Sequence, residues 1–295
     1  MSGVPSRLPQ TLRIADSGPM TRTAHDEAMA RAAALPQADA SSLVDAAALG
    51  AQVKDMYGRV AREEESELHF EVGRGLAEHL GYPPALLDAI PPEALASFAG
   101  VGWHLDLAAL RAGQTVLDLG SGSGTDVFCA AVHVGVAGVV TGVDFTPAQL
   151  AKAGSLRDRD GFTQVRFVEA RIDELPFADA TFDAVISNGV INLSVVKHRV
   201  FAEAARVLRP GGRLALSDIV SGRPLKERTR RNVELWAACI AGAIPRASYI
   251  ETIEGAGLQL REVRRNDYRF ISERALAACT TYDVESISLV AVKPG

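Results

Sequence analysis

The most constraining feature of the sequence is a glycine-rich segment, VLDLGSGSGTD, at residues 116–126. An aliphatic run leads into this segment and an alanine-rich helical pattern follows it, so a buried strand is predicted to turn directly into a helix. Glycine adopts positive φ without steric strain and admits a ligand close to the backbone, while a helix N-terminus offers unpaired N–H groups. The loop formed by Gly120, Ser121, Gly122 and Gly124 is therefore predicted to bind a ligand.

The chain after residue 112 alternates short β-branched runs with helical patterns, which is typical of βαβ units and a mostly parallel sheet. We predict an α/β, Rossmann-like fold for residues 113–295, with helices on both faces of the sheet and an insertion near residues 221–250. Residues 1–50 predict an irregular arm with short helices, and residues 51–112 predict a helical cap interrupted by prolines. The seven predicted strands cover residues 115–119, 138–144, 165–169, 182–187, 213–218, 259–265 and 287–293, and the helices of this domain cover residues 126–134, 147–157, 197–208 and 272–278.

The composition excludes several classes of function. The chain has 295 residues and a net charge of −5 at pH 7, whereas a nucleic-acid-binding face is normally basic, so no nucleic-acid partner is expected. Its apolar runs are too short to span a bilayer, and no membrane association is expected. The three cysteines are scattered, which predicts neither a disulfide framework nor a metal site and favours a reducing, cytoplasmic location. The expected partner is a small molecule.

Two aspartates accompany the glycine loop. Asp118 ends the first predicted strand, where open α/β sheets bind ligands, and its carboxylate is placed to receive a cationic group. Asp144 ends the second predicted strand, 24 residues after Gly120, where an acid can accept both hydroxyls of a ribose. The spacing Gly-x-Gly-x-Gly lacks the ending of the nicotinamide fingerprint. Loop and acids together favour an adenosine ligand and disfavour a nicotinamide-dependent oxidoreductase.

Several motifs resemble those of the class I S-adenosylmethionine-dependent methyltransferases, in particular the arsenite methyltransferase family. The resemblance extends from about residue 56 to residue 293. The three motifs at residues 116–124, 142–150 and 167–177 are typical of the broad class. The runs VISNGVINLS and CIAGA are more specific to the arsenite methyltransferase family. The motifs are VLDLGSGSG at 116–124, GVDFTPAQL at 142–150, FVEARIDELPF at 167–177, FDAVISNGVINLS at 182–194, EAARVLRPGGRLALSDIV at 203–220 and ACIAGA at 238–243.

The resemblance implies a seven-stranded class I methyltransferase sheet and S-adenosylmethionine as the cofactor. The glycine loop would then hold the methionine end of the cofactor, and Asp144 would bind its ribose. Phe145 would stack beside the adenine, with Arg171 and Ile172 closing the other side.

The resemblance also implies residues near the methyl group. Asn188 would face the transferred methyl, and Tyr57 would lie against the cofactor if the N-terminal segment folds over it. Members of the family bind trivalent arsenic through cysteines, because a soft centre prefers sulfur ligands. This chain has Gly189 where the family typically has a cysteine, and only Cys239 matches a family cysteine. We therefore favour an organic small-molecule acceptor, with a trivalent arsenical or a non-catalytic cofactor-binding role as alternatives.

Further residues are candidates for the acceptor side. Trp103, Trp236 and Tyr249 are expected to form an aromatic wall for an organic acceptor, because Trp236 is one helical turn from Cys239, and Gly189 is a further candidate for contact with the substrate. In-line methyl transfer from a sulfonium depends mainly on alignment, so no strong base is mandatory. If the acceptor must lose a proton, His69 and His104 are the candidate bases, because they occupy segments that lack the family's cysteines.

Overall fold

The structure is a computed structural model, and it describes residues 12–13, 38–62, 70–237 and 239–295. Most of the arm predicted for residues 1–50 therefore lies outside the described residues. Within the described residues, no helix is both long enough and apolar enough to cross a membrane.

A single mixed sheet forms the centre of the molecule, with strand order β1-β7-β8-β6-β5-β2-β3-β4. Neighbouring strands from β6 to β4 pair in parallel, whereas β8 is antiparallel to both β6 and β7. The seven-stranded α/β fold predicted from the sequence is confirmed. An eighth, two-residue strand, β1, lies in the segment predicted as an arm with short helices and pairs with the outer edge of β7. The strands are β1 (Leu12–Arg13), β2 (Thr115–Leu119), β3 (Val139–Asp144), β4 (Val165–Glu169), β5 (Phe182–Asn188), β6 (Leu208–Val220), β7 (Gln259–Arg265) and β8 (Glu285–Val292).

Helices cover both faces of this sheet because the side chains of each buried strand alternate between the faces. Val116 of β2 packs into one apolar core with Phe128 of helix α6. Leu117, the next residue, packs into a second core with Phe201 of helix α8. The helices are α1 (Ala46–Ala61), α2 (Arg74–His79), α3 (Pro84–Leu87), α4 (Pro92–Ala96), α5 (Leu105–Ala108), α6 (Thr125–Val134), α7 (Pro147–Asp160), α8 (Lys197–Val207), α9 (Glu227–Arg230), α10 (Val233–Ala237), α11 (Arg246–Gly255) and α12 (Glu273–Tyr282).

Helix α1 begins where Asp45 caps its N-terminus. The Asp45 carboxylate accepts hydrogen bonds from the backbone N–H groups of Ala47 and Ala48, at 2.8 and 3.3 Å, which satisfies donors that have no partner within the helix. The helix runs continuously through residue 50, where the sequence analysis divides the arm from the cap. Among the described residues of the cap, four short helices, α2 to α5, follow α1, and two of them start at prolines, whose fixed φ suits the first turn.

The insertion near residues 221–250 contains α9 and α10, and α11 begins at its end. The sequence analysis missed α11, although Tyr249 and Ile253 lie four residues apart on its buried side. Apolar residues are too sparse in this segment for a clear helical period, and the helix is stabilised by packing against α8 and β7 instead.

Candidate active site

A cleft opens at the carboxyl ends of β2, β3 and β5, the edge at which open α/β sheets bind ligands. It has two adjoining compartments, an inner one of about 700 Å³ and an outer one of about 630 Å³. The inner compartment is lined by the glycine loop together with Tyr57, Phe98, Gly100, Asp118, Asp126, Gln149, Asn188 and Gly189. The outer compartment is lined by Leu49, Val53, Phe145, Arg171, Ile172, Asp173 and Leu193.

The glycine loop crosses from β2 to α6 over the end of β3. The N–H groups of Gly120 and Ser121 donate to the carbonyl oxygen of Val143 at 2.8 and 2.9 Å, which holds the loop against the sheet. Gly120 has a φ of +72°, and a Cβ there would collide with the side chain of Val190. Gly124, with a φ of +97°, is the residue immediately before α6. Both positions therefore require glycine, as the sequence analysis argues.

Three carboxylates surround the inner compartment: Asp118, Asp126 and Asp144, each at most 8% exposed. Asp144 accepts hydrogen bonds from the backbone N–H groups of Gly122 and Thr146 at 2.9 and 2.8 Å. Within the described part of the chain, no hydrogen bond is found for the carboxylate of Asp118, and burial, followed by Asp126 and Asp144, raises its pKa well above the usual value. Such a cleft favours a ligand with positive charge.

The Asn188 side chain makes four hydrogen bonds inside the protein. Its Nδ2 contacts three oxygens at 3.0 Å, those of the Tyr82 hydroxyl, the Asp126 carboxylate and the Gly102 carbonyl, and its Oδ1 accepts from the N–H of Val101 at 2.8 Å. The amide thus joins β5 to the cap and to α6, and these bonds fix the side chain at the wall of the inner compartment.

Sequence reasoning missed two members of this group, Tyr82 and Asp126. The Tyr82 hydroxyl donates to Asp126 at 2.6 Å, so the phenol and the carboxylate form one buried unit with Asn188. Asp126 could have been found, since an acid two residues after the glycine loop falls in the first turn of the following helix. Tyr82 lies 44 residues away in a proline-rich stretch and gives no such signal.

Helix α1 lies over the cleft and is held there by two side chains of α7. Gln149 donates from Nε2 to the carbonyl oxygen of Tyr57 at 3.0 Å and accepts through Oε1 from the hydroxyl of Ser123 in the glycine loop. Lys152 donates to the carbonyl oxygen of Ala61 at 3.1 Å. Tyr57, which lines the inner compartment, is therefore placed against the cleft by contacts at its own backbone.

The outer compartment contains the residues predicted to contact adenine. Phe145 lines both compartments and has the ammonium of Lys54 5.3 Å from its ring centroid. Arg171 and Ile172 form part of the wall, and the guanidinium of Arg171 makes two 3.0 Å hydrogen bonds to the carboxylate of Asp173. That ion pair orients the arginine along the rim of the compartment.

Of the residues predicted to contact the acceptor, Gly189 and Cys239 lie at or beside the inner compartment, whereas Trp236 and Tyr249 do not. Gly189 lines the inner compartment, and the thiol of Cys239 donates to its carbonyl oxygen at 3.7 Å and lies within range of the Tyr57 hydroxyl. Burial and the neighbouring Asp218 raise the pKa of Cys239 to about 12, so the sulfur is a protonated thiol at neutral pH. Among the described residues, no group of three His, Cys, Asp or Glu side chains is arranged to hold a metal ion.

Trp236 and Tyr249 do not line either compartment, which corrects the predicted aromatic wall. The indole of Trp236 is 1% exposed and donates to the carbonyl oxygen of Arg230 at 2.5 Å. Tyr249 is fully buried beneath the sheet and donates to the carboxylate of Asp218 at 2.6 Å. In both cases core packing satisfies the apolar ring, and a protein acceptor satisfies its polar atom.

One of the two predicted bases, His104, lies away from the cleft. His104 is completely buried, its Nδ1 lies 3.5 Å from the Ser217 hydroxyl, and burial lowers its pKa, so it is a neutral imidazole away from the compartments. This corrects the role predicted for His104. His69 lies outside the described residues.

The sheet and the ligand-sized cleft at the end of β2 define the class I methyltransferase fold. The crystal structure of an arsenic(III) S-adenosylmethionine methyltransferase from Chlamydomonas reinhardtii matches with a TM-score of 0.61 and 35% identity, covering 72% of this chain and 74% of that one. A geranyl diphosphate C-methyltransferase from Streptomyces coelicolor matches at 16% identity with a TM-score of 0.58, covering 82% of this chain and 98% of that one, and shares the fold.

Residues 110–273 match a family model described as a methyltransferase domain. An arsenite methyltransferase from Halobacterium salinarum is 40% identical over 176 residues, 59% of this chain and 45% of that protein. One from Aquipseudomonas alcaligenes is 39% identical over 199 residues, 65% of this chain and 57% of that protein. The chain therefore belongs to the methyltransferase-domain family and, within it, to the arsenite methyltransferase-like group. It spans about half the length of these curated relatives.

Proposed function

We propose that the protein is an S-adenosylmethionine-dependent methyltransferase that methylates a small-molecule acceptor entering beside Gly189 and Cys239. The observation that carries the proposal is the Asp118 carboxylate, which lies in the cleft without a hydrogen-bond donor from the described protein. A buried carboxylate without a partner is costly, and a cationic ligand relieves that cost. Membership of the methyltransferase-domain family supports the same assignment.

The residues of the cleft fit this cofactor. Asp118 and the glycine loop hold the charged methionine end, where the loop leaves backbone room for it. Asp144 binds the ribose hydroxyls, because each of its oxygens accepts one protein N–H and keeps a lone pair for a further donor. Phe145, with Ile172 across the outer compartment, packs against the adenine. When bound, S-adenosylmethionine supplies an electrophilic methyl group on a sulfonium.

We favour an organic acceptor because the cleft offers few sulfur ligands. The position after Asn188 is Gly189, whose φ of +72° and close approach to Val101 disfavour any side chain there. The Cys239 sulfur is the one thiol placed near the inner compartment among the described residues. Tyr57 and Phe98 supply apolar surface beside it, and holding an organic nucleophile in line with the methyl group provides much of the rate enhancement.

A trivalent arsenical is the second candidate acceptor. Cys239 belongs to a buried apolar cluster, and Cys279 and Tyr268 pack against that same cluster. Relatives named as arsenite methyltransferases share about 40% identity with this chain. A pair of thiols, assisted by a small external thiol, is the smallest sulfur set that would retain arsenic chemistry.

Incubation with S-adenosylmethionine, arsenite and excess glutathione distinguishes the two acceptors. We expect no enzyme-dependent methylated arsenic, because one buried thiol beside Gly189 does not replace a set of thiolates. Methylated arsenic would be measured by chromatography with elemental detection, and cofactor binding by calorimetry on the same sample. Methylated arsenic that disappears in Cys239→Ser and Cys279→Ser, but persists in Cys129→Ser, would contradict the organic assignment.

A panel of organic phenols, amines and carbon acids then tests turnover itself. Formation of S-adenosylhomocysteine above background with any of them supports the enzyme and excludes a purely cofactor-binding role. The net charge of −5 supports a small-molecule partner over nucleic acid, and the dispersed cysteines support a cytoplasmic location, which we include in the proposal.

A further inference from the structure

A buried lysine lies directly behind the acceptor side of the cleft. Lys197, at the start of α8, is 2% exposed. Its ammonium donates to the carbonyl oxygens of Asn192 and Ser194, both at 2.8 Å, and lies 5.0 Å from the centroid of the Trp236 ring. One side chain thus contacts both the turn after β5 and the helix before Cys239.

Asn192, which accepts a hydrogen bond from Lys197, also contacts Cys239. The residue is fully buried, its backbone N–H donates to the Asp218 carboxylate at 2.8 Å, and its Nδ2 donates to the carbonyl oxygen of Cys239 at 2.5 Å. Gly242 packs so closely on Asn192 that a Cβ would collide with its carbonyl oxygen. The turn at residues 191–193 and the segment at residues 239–243 are therefore interlocked.

The backbone of Cys239 needs such a restraint. Its φ is +60°, a left-handed conformation that is unfavourable for a residue with a side chain and persists only where the surroundings impose it. In this conformation the thiol faces the carbonyl oxygen of Gly189, at the wall of the inner compartment.

Burying an ammonium group is not an efficient way to stabilise a fold. Burial lowers the pKa of Lys197 to about 7 although Asp218 opposes the shift, and burial raises the pKa of Asp218 to about 6. Replacing buried ionic groups by apolar residues of similar volume is often neutral or stabilising. A lysine at this place is therefore better explained by the geometry it imposes on its neighbours.

We propose that Lys197 is a positioning residue for the acceptor side: it holds Asn192, Asn192 holds the carbonyl of Cys239, and the Cys239 thiol is thereby kept beside Gly189 and Tyr57. The inference rests on the proposed function only in taking this wall as the acceptor side. The series of contacts from Lys197 to the thiol stands independently of which acceptor is used.

Alkylation of the three cysteines by iodoacetamide, resolved residue by residue by mass spectrometry, tests the inference without any acceptor. In Lys197→Met we expect Cys239 to react about tenfold faster or more, because release of its carbonyl lowers the free energy of local opening. Cys129, buried in a separate core, should keep its wild-type rate. Equal acceleration of Cys129 and Cys239 would indicate general destabilisation and would overturn the proposal.

Two further variants serve as rescue and control. Lys197→Arg keeps a cation that can donate to two carbonyls and stack on the indole, so it should restore slow alkylation. Lys293→Met is the matched control, because Lys293 also donates to two carbonyl oxygens, those of Ala205 and Leu208 at 2.7 Å, but far from the cleft. It should leave the Cys239 rate unchanged.

A second route remains if Lys197→Met does not fold, as judged by circular dichroism. Asn192→Ser removes the amide that holds Cys239 and should expose the thiol selectively. An unchanged Cys239 rate in whichever of these two variants folds would overturn the proposal. Calorimetry with S-adenosylmethionine on the wild-type protein tests the proposed function separately from the role of Lys197. If the wild type does not bind S-adenosylmethionine, the proposed function is contradicted, while the alkylation result for Lys197 still holds.

Discussion

Asp144→Ala is expected to weaken binding of S-adenosylmethionine by about 100-fold, the equivalent of about 3 kcal/mol. The change removes the acceptor for the ribose and also releases the N–H groups of Gly122 and Thr146, which the carboxylate holds at 2.9 and 2.8 Å. Charge-assisted hydrogen bonds of this kind are worth about 1.5–3 kcal/mol each. Titration calorimetry with S-adenosylmethionine and with S-adenosylhomocysteine should give equal losses, because both carry the same ribose.

The control for this prediction is Asp179→Ala. Asp179 is an exposed carboxylate paired with Arg206 on the protein surface. Its removal should leave the affinities for S-adenosylmethionine and S-adenosylhomocysteine unchanged. Wild-type affinity in Asp144→Ala would show that the ribose binds elsewhere and would contradict the assignment of the outer compartment to the adenosine.

Asp118→Asn is expected to weaken the binding of both S-adenosylmethionine and S-adenosylhomocysteine by about 30-fold. The substitution preserves shape and removes one negative charge from a cleft in which Asp126 and Asp144 are the neighbouring carboxylates. Both ligands carry the α-ammonium of the methionine end, so the binding of each depends on the Asp118 carboxylate. An interaction of about 2 kcal/mol between buried opposite charges corresponds to this factor.

The same variant is expected to stabilise the ligand-free protein at neutral pH. The pKa of Asp118 is raised in the folded state, so its contribution to stability is present below the unfolded pKa, near 3.8, and is lost as pH rises through the folded pKa. Asparagine carries no such penalty. The expected result is a higher melting temperature together with weaker binding of both ligands; a lower melting temperature, or an unchanged affinity for both ligands, would contradict the prediction.

The fold, and the meeting of the glycine loop with Asp144 at one edge of the sheet, are the parts that the sequence predicts well. The strands at residues 115–119, 165–169 and 259–265 have the predicted bounds, because their residues repeat the patterns that buried strands need. The glycine loop and Asp144 can be recognised from short stretches of sequence. Because β2 and β3 are neighbours in the sheet, the loop after β2 comes close to Asp144 at the end of β3, where Gly122 and Thr146 donate to its carboxylate.

The acceptor half is less predictable because its contacts join distant segments. Trp236 and Tyr249 have the spacing of a pocket wall, yet the same spacing suits a buried helix face, and only the packing of α1, α8 and β6 decides between them. The role of Asn188 depends on Tyr82 and Gly102, 106 and 86 residues away. Lys197, a basic residue at a helix start, resembles a solvated side chain until Trp236 covers it.

The position of β8 has a consequence for how the molecule is made. Glu285–Val292 follows every other strand in the chain, yet it lies between β6 and β7 and pairs with both. Until a ribosome has released this segment, the nascent chain exposes two open edges that are able to pair with other polypeptides. Strand β7 can join the sheet only through this final strand, so a stalled or truncated translation product without β8 would expose β6 as an open edge, while the parallel strands from β6 to β4 could already have paired.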